Sequence, residues 1–322
     1  MSLLKFERKY LHMRKYEHPP SRRLPNRRPS LQRRRPKQTW GKQLVILSCL
    51  LVIVITLVLT WWRTSEEYTP VLAPVEYLPE EEQGPELVSM PITFLTDTGY
   101  LKLVNRYLAM SQPIDYSNIV DAWPTVPVRA TDITVHQTLL NAVAALFADA
   151  EDIPFFITSG YRSVYRQQEI YENAVDRMYV MPPGHSEHNI GLAADILVID
   201  IPMNQMSGTP EARWLAQNAW RYGMILRYPY GTTHITGVAY EPWHFRYVGR
   251  VHASYMFNNN MVLEEYLARL EEQGSIAVRL DGVTYHIMYQ QLVDGSLYVP
   301  LDLPFNVSAS NRGGYVVTIW ED

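Results

Sequence analysis

The chain has 322 residues, 47% hydrophobic and 19% charged, with a formal net charge of -4. That composition excludes wholesale disorder, collagen-like repetition and a strongly basic nucleic-acid binder. The charge is unevenly spread: residues 1–43 hold 14 of the 29 Lys and Arg against only Glu7 and Glu17, whereas the remaining 279 residues hold 15 basic and 31 acidic side chains. A tail near +12 and a remainder near -16 do not belong to one globule. The single cysteine, Cys49, excludes an internal disulfide framework and a cysteine-based structural zinc site. Any metal must therefore be held by His, Asp or Glu.

Between the two charge regimes lies 44–62, LVILSCLLVIVITLVLTWW, with no charged residue. At 1.5 Å rise per residue it reaches about 28 Å, close to the roughly 30 Å of bilayer hydrocarbon. Flanking Lys42 and Arg63 and the paired Trp61 and Trp62 fit a single membrane span better than a buried core helix. Basic residues precede the run, and Glu66, Glu67, Glu76, Glu80, Glu81, Glu82 and Glu86 follow it. The positive-inside rule then places the N-terminus in the cytoplasm and the rest outside. The 43-residue basic segment is long for a signal peptide, and no A-x-A site follows, so the run reads as an uncleaved anchor. Cys49 falls near its start and reads as a buried apolar thiol rather than a lipid-bearing one. The tail could grip anionic headgroups or an acidic partner, or simply set topology.

Residues 63–90 are acidic and contain Pro70, Pro74, Pro79 and Pro85, the composition of a solvated spacer. The 232 residues from 91 onward suffice for one well-buried domain, 91–273, with a small module, 274–322. Helices are expected over 132–149, capped by Asp132, over 163–178, capped by Ser163, from Thr209 and Pro210 to Gly223, and over 261–273 closed by Gly274. Strands are expected over 154–158, 192–199, 224–228 and 243–247. Helices and strands joined by Gly- and Pro-rich loops point to an α+β domain, with helices covering one face of a sheet. After Gly274 the segments IAVRL, VTYHIMY, LYVPL and YVVTIW, separated by Asp281-Gly282, Asp294-Gly295 and Gly313-Gly314, read as an antiparallel module.

Nine histidines make any lone one uninformative, so arrangement must discriminate. His188 lies in the loop GHSEHNIG, and seven residues on, Asp195 interrupts the apolar strand LAADILVI. An ionised carboxylate there is costly unless a cation or several donors compensate it. A salt bridge or a backbone cap would also serve. Further on, Pro242 breaks the strand ladder in Glu241-Pro242-Trp243-His244, so Glu241 can sit on the entering loop while His244 projects from the strand into the same cavity. Trp243, Phe245 and Tyr247 then form an aromatic face and His244 and Arg246 a polar one. Two imidazoles and a carboxylate form a common catalytic zinc shell, and a second carboxylate beside it can act as general base. His185 reads as an exposed loop residue. His234, His252 and His286 lack a carboxylate at informative spacing. Arg227 and Tyr228 either line the cleft or pack.

Three segments carry a family resemblance: Ser159-Gly160-Tyr161-Arg162-Ser163 with Gln167, then Ser186-Glu187-His188-Asn189-Ile190-Gly191-Leu192-Ala193-Ala194-Asp195, then Glu241-Pro242-Trp243-His244. The pattern S-x-H-x-x-G-x-A-x-D followed by E-x-W-H resembles the zinc D,D-carboxypeptidases of the VanY type, from about residue 95 through the C-terminal strands. The resemblance implies helices packed on a mainly antiparallel sheet carrying a zinc site, with His188, Asp195 and His244 as zinc ligands and Glu241 as general base. Arg162 would stabilise an oxyanion or bind substrate, or else serve as an ion-pair partner. Gln167 and Ser186 would hold the terminal carboxylate, unless they are simply solvated. The implied activity is removal of the terminal D-alanine from peptidoglycan stem peptides by a membrane-anchored enzyme. The rival readings are an L,D-carboxypeptidase acting on tetrapeptide stems and a non-catalytic wall-binding factor.

Overall fold

In the computed structural model the described residues are 51, 52, 55, 75–78, 84–111 and 116–321. The chain divides into two units, Met1–Tyr68 and Thr69–Asp322, and the fold is that of the second. The basic tail, Cys49 and all of the expected span 44–62 except residues 51, 52 and 55 lie outside the described residues. No helix among the described residues is long and apolar enough to cross a membrane.

Strands β1 (Val75–Tyr77) and β2 (Leu87–Pro91) come first in the chain. A short antiparallel ribbon follows, made of β3 (Ile119–Asp121) and β4 (Thr134–His136). This ribbon corrects the expected helix start. β-branched Thr134 and Val135 pair with β3 instead of winding behind Asp132, and helix α1 (Gln137–Asp149) begins at His136, whose Nδ1 accepts from Thr138 N at 3.1 Å. Leu139, Leu140, Val143 and Leu146 then fall on one buried face.

Strand β5 (Phe155–Ser159) leads to α2 (Val164–Glu172), whose cap is Ser163 accepting from Arg166 N at 3.1 Å. The helix stops six residues before the expected 178, because Asn173 Nδ2 donates to the Glu169 carbonyl at 2.7 Å and closes the last turn. Next come β6 (Ala193–Val198), then α3 (Pro210–Asn218), capped by Thr209, and a 3-10 turn reaching Gly223 at φ 79°. Strand β7 (Met224–Leu226), the short α4 (Thr233–Thr236) and β8 (His244–Tyr247) complete the central sheet. Its order is β5-β6-β8-β7, antiparallel throughout. Ala194, Ile196 and Phe245 join Leu139, Val143 and Leu215 of α1 and α3 in the core. Strand alternation therefore turns Asp195, His244 and Arg246 to the opposite face.

Two helices follow, α5 (Arg250–Asn258) and α6 (Leu263–Gln273). The first was not expected: Val251 through Met256 are all buried, so it lacks the one-sided apolar stripe that marks a surface helix. The C-terminal strands are β9 (Ser275–Leu280), β10 (Val283–Gln290), β11 (Ser296–Pro300), β12 (Phe305–Ala309) and β13 (Tyr315–Glu321). They form a five-stranded antiparallel sheet, β1-β9-β10-β13-β12, and a β11-β2 pair. Asp281 (φ 52°) and Gly282 (φ 86°) make the tight β9–β10 turn, where both central residues need positive φ. The four strands read from sequence after Gly274 are present, with β12 added, but β1 and β2, from the stretch expected to be a solvated spacer, pair with β9 and β11 and complete the two sheets. Residues 98–103 lie against it: Thr98 N donates to the Val307 carbonyl at 2.9 Å, Leu101 N to Ser308 Oγ at 2.9 Å and Leu103 N to the Ser310 carbonyl at 3.0 Å.

Phe245 is fully buried in the central core. Truncation to Ala is expected to cost about 3–5 kcal/mol of unfolding free energy in a denaturant titration. A loss under 1 kcal/mol would mean that the sheet does not pack on α1 and α3 as described.

Candidate metal centre and its cleft

Antiparallel pairing of β6 with β8 sets Asp195 directly opposite His244. His188 reaches the same point from the loop before β6, on a buried 3-10 turn, Glu187–Ile190, closed by Gly191 at φ 73°. A Cβ on Gly191 would stand 2.5 Å from Ile119 Cδ1, and one on Gly160 would stand 2.2 Å from the Thr134 carbonyl oxygen. Both positions therefore require glycine. Gly160 matters to the site as well, because its carbonyl lies 2.7 Å from His188 Nδ1.

That contact sets the His188 tautomer. A carbonyl only accepts, so Nδ1 carries the proton and Nε2 keeps its lone pair, 3.4 Å from Asp195 Oδ1. His244 is oriented the other way: Nδ1 is 3.0 Å from Asp195 Oδ1, and Nε2 is 3.4 Å from Glu187 Oε2. One ligand atom from each of His188, Asp195 and His244 lies within 4.8 Å of the others, and all three residues are buried. Each imidazole has one nitrogen towards the shared point and the other against a fixed oxygen, the arrangement that metal-binding histidines adopt. The donor set fits a zinc ion.

Glu241 sits on the loop entering β8, with Oε2 3.8 Å from His244 Nδ1, so Pro242 does bring loop carboxylate and strand imidazole into one cavity. Arg162 Nη2 is 3.8 Å from Asp195 Oδ2, and its buried Nε has no hydrogen-bond partner among the described residues. Gln167 is buried: Oε1 accepts from Arg162 Nη1 at 2.9 Å and Nε2 donates to the Met181 carbonyl at 2.6 Å. Ser186 is also buried, at the head of the His188 turn. All seven residues singled out from sequence line one cleft of about 300 Å³. Two larger cavities, about 430 and 440 Å³, lie elsewhere and are lined by no carboxylate among the described residues, so size does not locate the chemistry.

Burial and crowding of like charges govern the electrostatics. Burial pushes the Glu241 carboxyl up to about 8, and nearby Asp195 adds to the rise. Burial drives His188 down to about 4, so it is neutral and ready to ligate. Burial also opposes charge on His244, but hydrogen bonds to Asp195 and Glu187 outweigh it and raise the imidazole to about 9. Burial would raise Asp195 too, yet the charged His244 hydrogen-bonded to it holds it far below the usual carboxylate range.

The sequence reading missed the roles of Glu187 and Glu264 and left Arg227 and Tyr228 open between lining the cleft and packing. Glu187 was read only as part of the motif, although Arg227 Nε donates to its Oε1 at 2.7 Å and Arg246 Nη1 at 2.9 Å. Arg227 is fully buried, pairing also with Glu264 of α6, and its neighbour Tyr228 lines the cleft with its ring 4.8 Å from that of His244. The one available signal was the alternation that places Arg246 on the polar face of β8 beside His244. His185 is half-buried, its Nδ1 2.8 Å from the Asn105 carbonyl oxygen, rather than exposed. His286 does meet a carboxylate, Glu321, at 3.6 Å, far from the cleft in sequence and absent from its lining.

A model of the VanY family, described as D-alanyl-D-alanine carboxypeptidase, matches residues 132–250, which contain all seven residues. The chain aligns with a D-alanyl-D-alanine carboxypeptidase of Enterococcus faecium at 41% identity over 167 residues, 52% of this chain and 54% of that one. It aligns with the protein YodJ of Bacillus subtilis at 33% identity over 194 residues, 56% of this chain and 71% of that one. The chain belongs to the VanY family. It spans about half the length of the Enterococcus faecium relative. Among solved structures, the vancomycin-resistance D,D-dipeptidase VanXYg, in complex with a D-Ala-D-Ala phosphinate analog, matches with a TM-score of 0.64 at 26% identity, over 74% of this chain and 100% of that one. The VanY segment ends before α6, so Glu264 lies outside it.

The proton on His244 makes metal binding pH-dependent. With its imidazole raised to about 9, His244 is charged at pH 7 before any metal binds and must release a proton to free Nδ1, whereas His188 is already neutral. Acid therefore competes with metal. Zinc affinity should fall about tenfold per unit as pH drops from about 8 to 5, with about one proton or more released per metal at pH 7. Calorimetry in buffers of different ionisation enthalpy measures that number, and zero release would refute the arrangement.

Proposed function

We propose that the protein is a membrane-anchored, extracytoplasmic zinc D,D-carboxypeptidase that removes the terminal D-alanine from peptidoglycan stem peptides. The observation that carries this reading is the meeting of His188, Asp195 and His244 with Glu241 and Arg162 in one cleft. Membership of the VanY family supports the reaction class, and the D-Ala-D-Ala phosphinate analog bound by VanXYg supports the substrate class. Catalysis is assigned to 91–273, within which the VanY match lies, with 274–322 as a supporting module. The uncharged run 44–62, preceded by the basic tail and followed by acidic residues, supports the anchor and its orientation.

A zinc ion held by His188, Asp195 and His244 would polarise the scissile carbonyl and lower the pKa of attacking water. Glu241 would be the general base: its carboxyl, raised to about 8 by burial in the metal-free site, would be held ionised by a dication beside it and could then take a proton from water and deliver it to the leaving amine. Arg162 offers its Nε, which has no partner among the described residues, and its Nη2 to the substrate's terminal carboxylate or to the oxyanion. Gln167 serves this role by holding the guanidinium, since its amide is already bonded to Arg162 and Met181. Ser186 contributes a neutral hydroxyl at the cleft wall, where it can donate to the same carboxylate. Met181, Val238 and Trp243 supply an apolar lining that suits a small alanyl methyl group.

Glu241→Gln should bind zinc stoichiometrically yet lose about 10²–10⁴-fold in turnover. Mass analysis of released D-alanine checks this, and turnover within tenfold of wild type would remove Glu241 from the role. Pentapeptide stems ending in D-Ala-D-Ala should lose one alanine in a chelator-sensitive manner while tetrapeptide stems stay intact. The opposite preference would make the enzyme an L,D-carboxypeptidase, and binding of both without cleavage would make it a wall-binding factor.

A further inference from the structure

Behind His244 lies a buried charge cluster that the reaction scheme does not use. Glu187, Arg227 and Arg246 are wholly inaccessible, and Glu264 nearly so. Burying four charged groups is costly unless each is paired and its donors are satisfied. Here they are. Glu187 Oε1 accepts from Arg227 Nε and Arg246 Nη1. The other end of Arg227 makes a two-point contact with Glu264, at 2.9 Å from Nη1 and 2.7 Å from Nη2. Glu264 Oε1 accepts in addition from Asn105 Nδ2 at 3.0 Å. Arg246 Nη2 donates to the carbonyls of Tyr100 and Lys102, both at 3.0 Å. Two carboxylates and two guanidiniums leave no net charge.

One acceptor is left over. Glu187 Oε2 faces His244 Nε2 at 3.4 Å, on the side of the ring opposite Asp195. A carboxylate held by two arginines stays ionised and only accepts, so the proton it faces must sit on Nε2. We propose that Glu187 is a positioning residue for the metal: it fixes His244 as the Nε2–H tautomer with the Nδ1 lone pair towards Asp195 and His188, and Arg227, Arg246 and Glu264 hold Glu187 in place. The inference rests on the zinc reading of the site. It adds that the metal affinity is set partly outside the VanY-matched segment, through Glu264 on α6 and through residues 100–105, which the C-terminal module holds. Support of this kind behind a ligating histidine is generally worth about 10–100-fold in metal affinity.

The test uses the full chain, wild type and Glu187→Gln, with two readouts. Competition against a chromophoric chelator should show zinc bound about 10–100-fold more weakly by E187Q. Long-range proton–nitrogen spectra of zinc-loaded, ¹⁵N-histidine-labelled wild type should show His244 protonated at Nε2, with that proton shifted downfield and slow to exchange. Affinity within threefold of wild type, or a His244 proton on Nδ1, overturns the proposal. Should E187Q fail to fold, the wild-type spectrum decides alone: a slowly exchanging Nε2 proton sustains it, and an Nδ1 proton or a rapidly exchanging Nε2 proton overturns it. Failure of the wild type to take up zinc would sink the zinc reading together with this proposal, whereas equal uptake by both proteins would sink the proposal only.

Discussion

The register between β6 and β8 is the constraint on which the rest depends. These two adjacent antiparallel strands set Asp195 opposite His244 on one face while Ala194, Ile196 and Phe245 enter the core on the other. A slip of one residue would carry the carboxylate into the apolar layer beneath α1 and α3 and expose Phe245. Burying an unpaired carboxylate there would cost several kcal/mol. The hydrophobic core and the ligand set therefore enforce the same pairing, and packing that stabilises the sheet also aligns the chemistry.

Charge in so dry a place has to be balanced locally. On the cleft side, Asp195 faces two imidazoles and Arg162, and Glu241 lies close behind; in metal-free protein the site compensates by keeping a proton on His244 and by raising Glu241. On the inner side, Arg227 and Arg246 answer Glu187 and Glu264. His244 stands between the two sets, touching Asp195 on one edge and Glu187 on the other. A dication on the cleft side would replace the proton there and leave the inner balance unchanged.

Some of this was legible in one dimension because the relevant physics is local. Ser163 and Thr209 cap their helices through hydrogen bonds that span three residues, and Pro242 ends one conformation and begins another within a tetrapeptide. Asp195 stood out as a carboxylate amid an apolar strand. What escaped detection depended on partners distant in sequence. Helix α5 is buried all round and shows no stripe, and β4 exists because β3 is there to pair with it. Gln167, which the sequence left between holding a carboxylate and plain solvation, is enclosed by Arg162 and the Met181 carbonyl. Arg227 could not be separated from a packing residue until Glu187, 40 positions earlier, and Glu264, 37 positions later, closed around it.

The amino-acid sequence alone determined the residue types of the site, the alternation that keeps them on one side of a strand, and the family to which those motifs point, since each depends on chemistry within a few positions. Only the tertiary structure decided that the seven side chains share one cleft, which nitrogen of each histidine faces it, and that Glu187 belongs to a buried ion cluster reaching α6. Those outcomes follow from strand register and long-range burial, and neither is encoded in any single stretch of the chain.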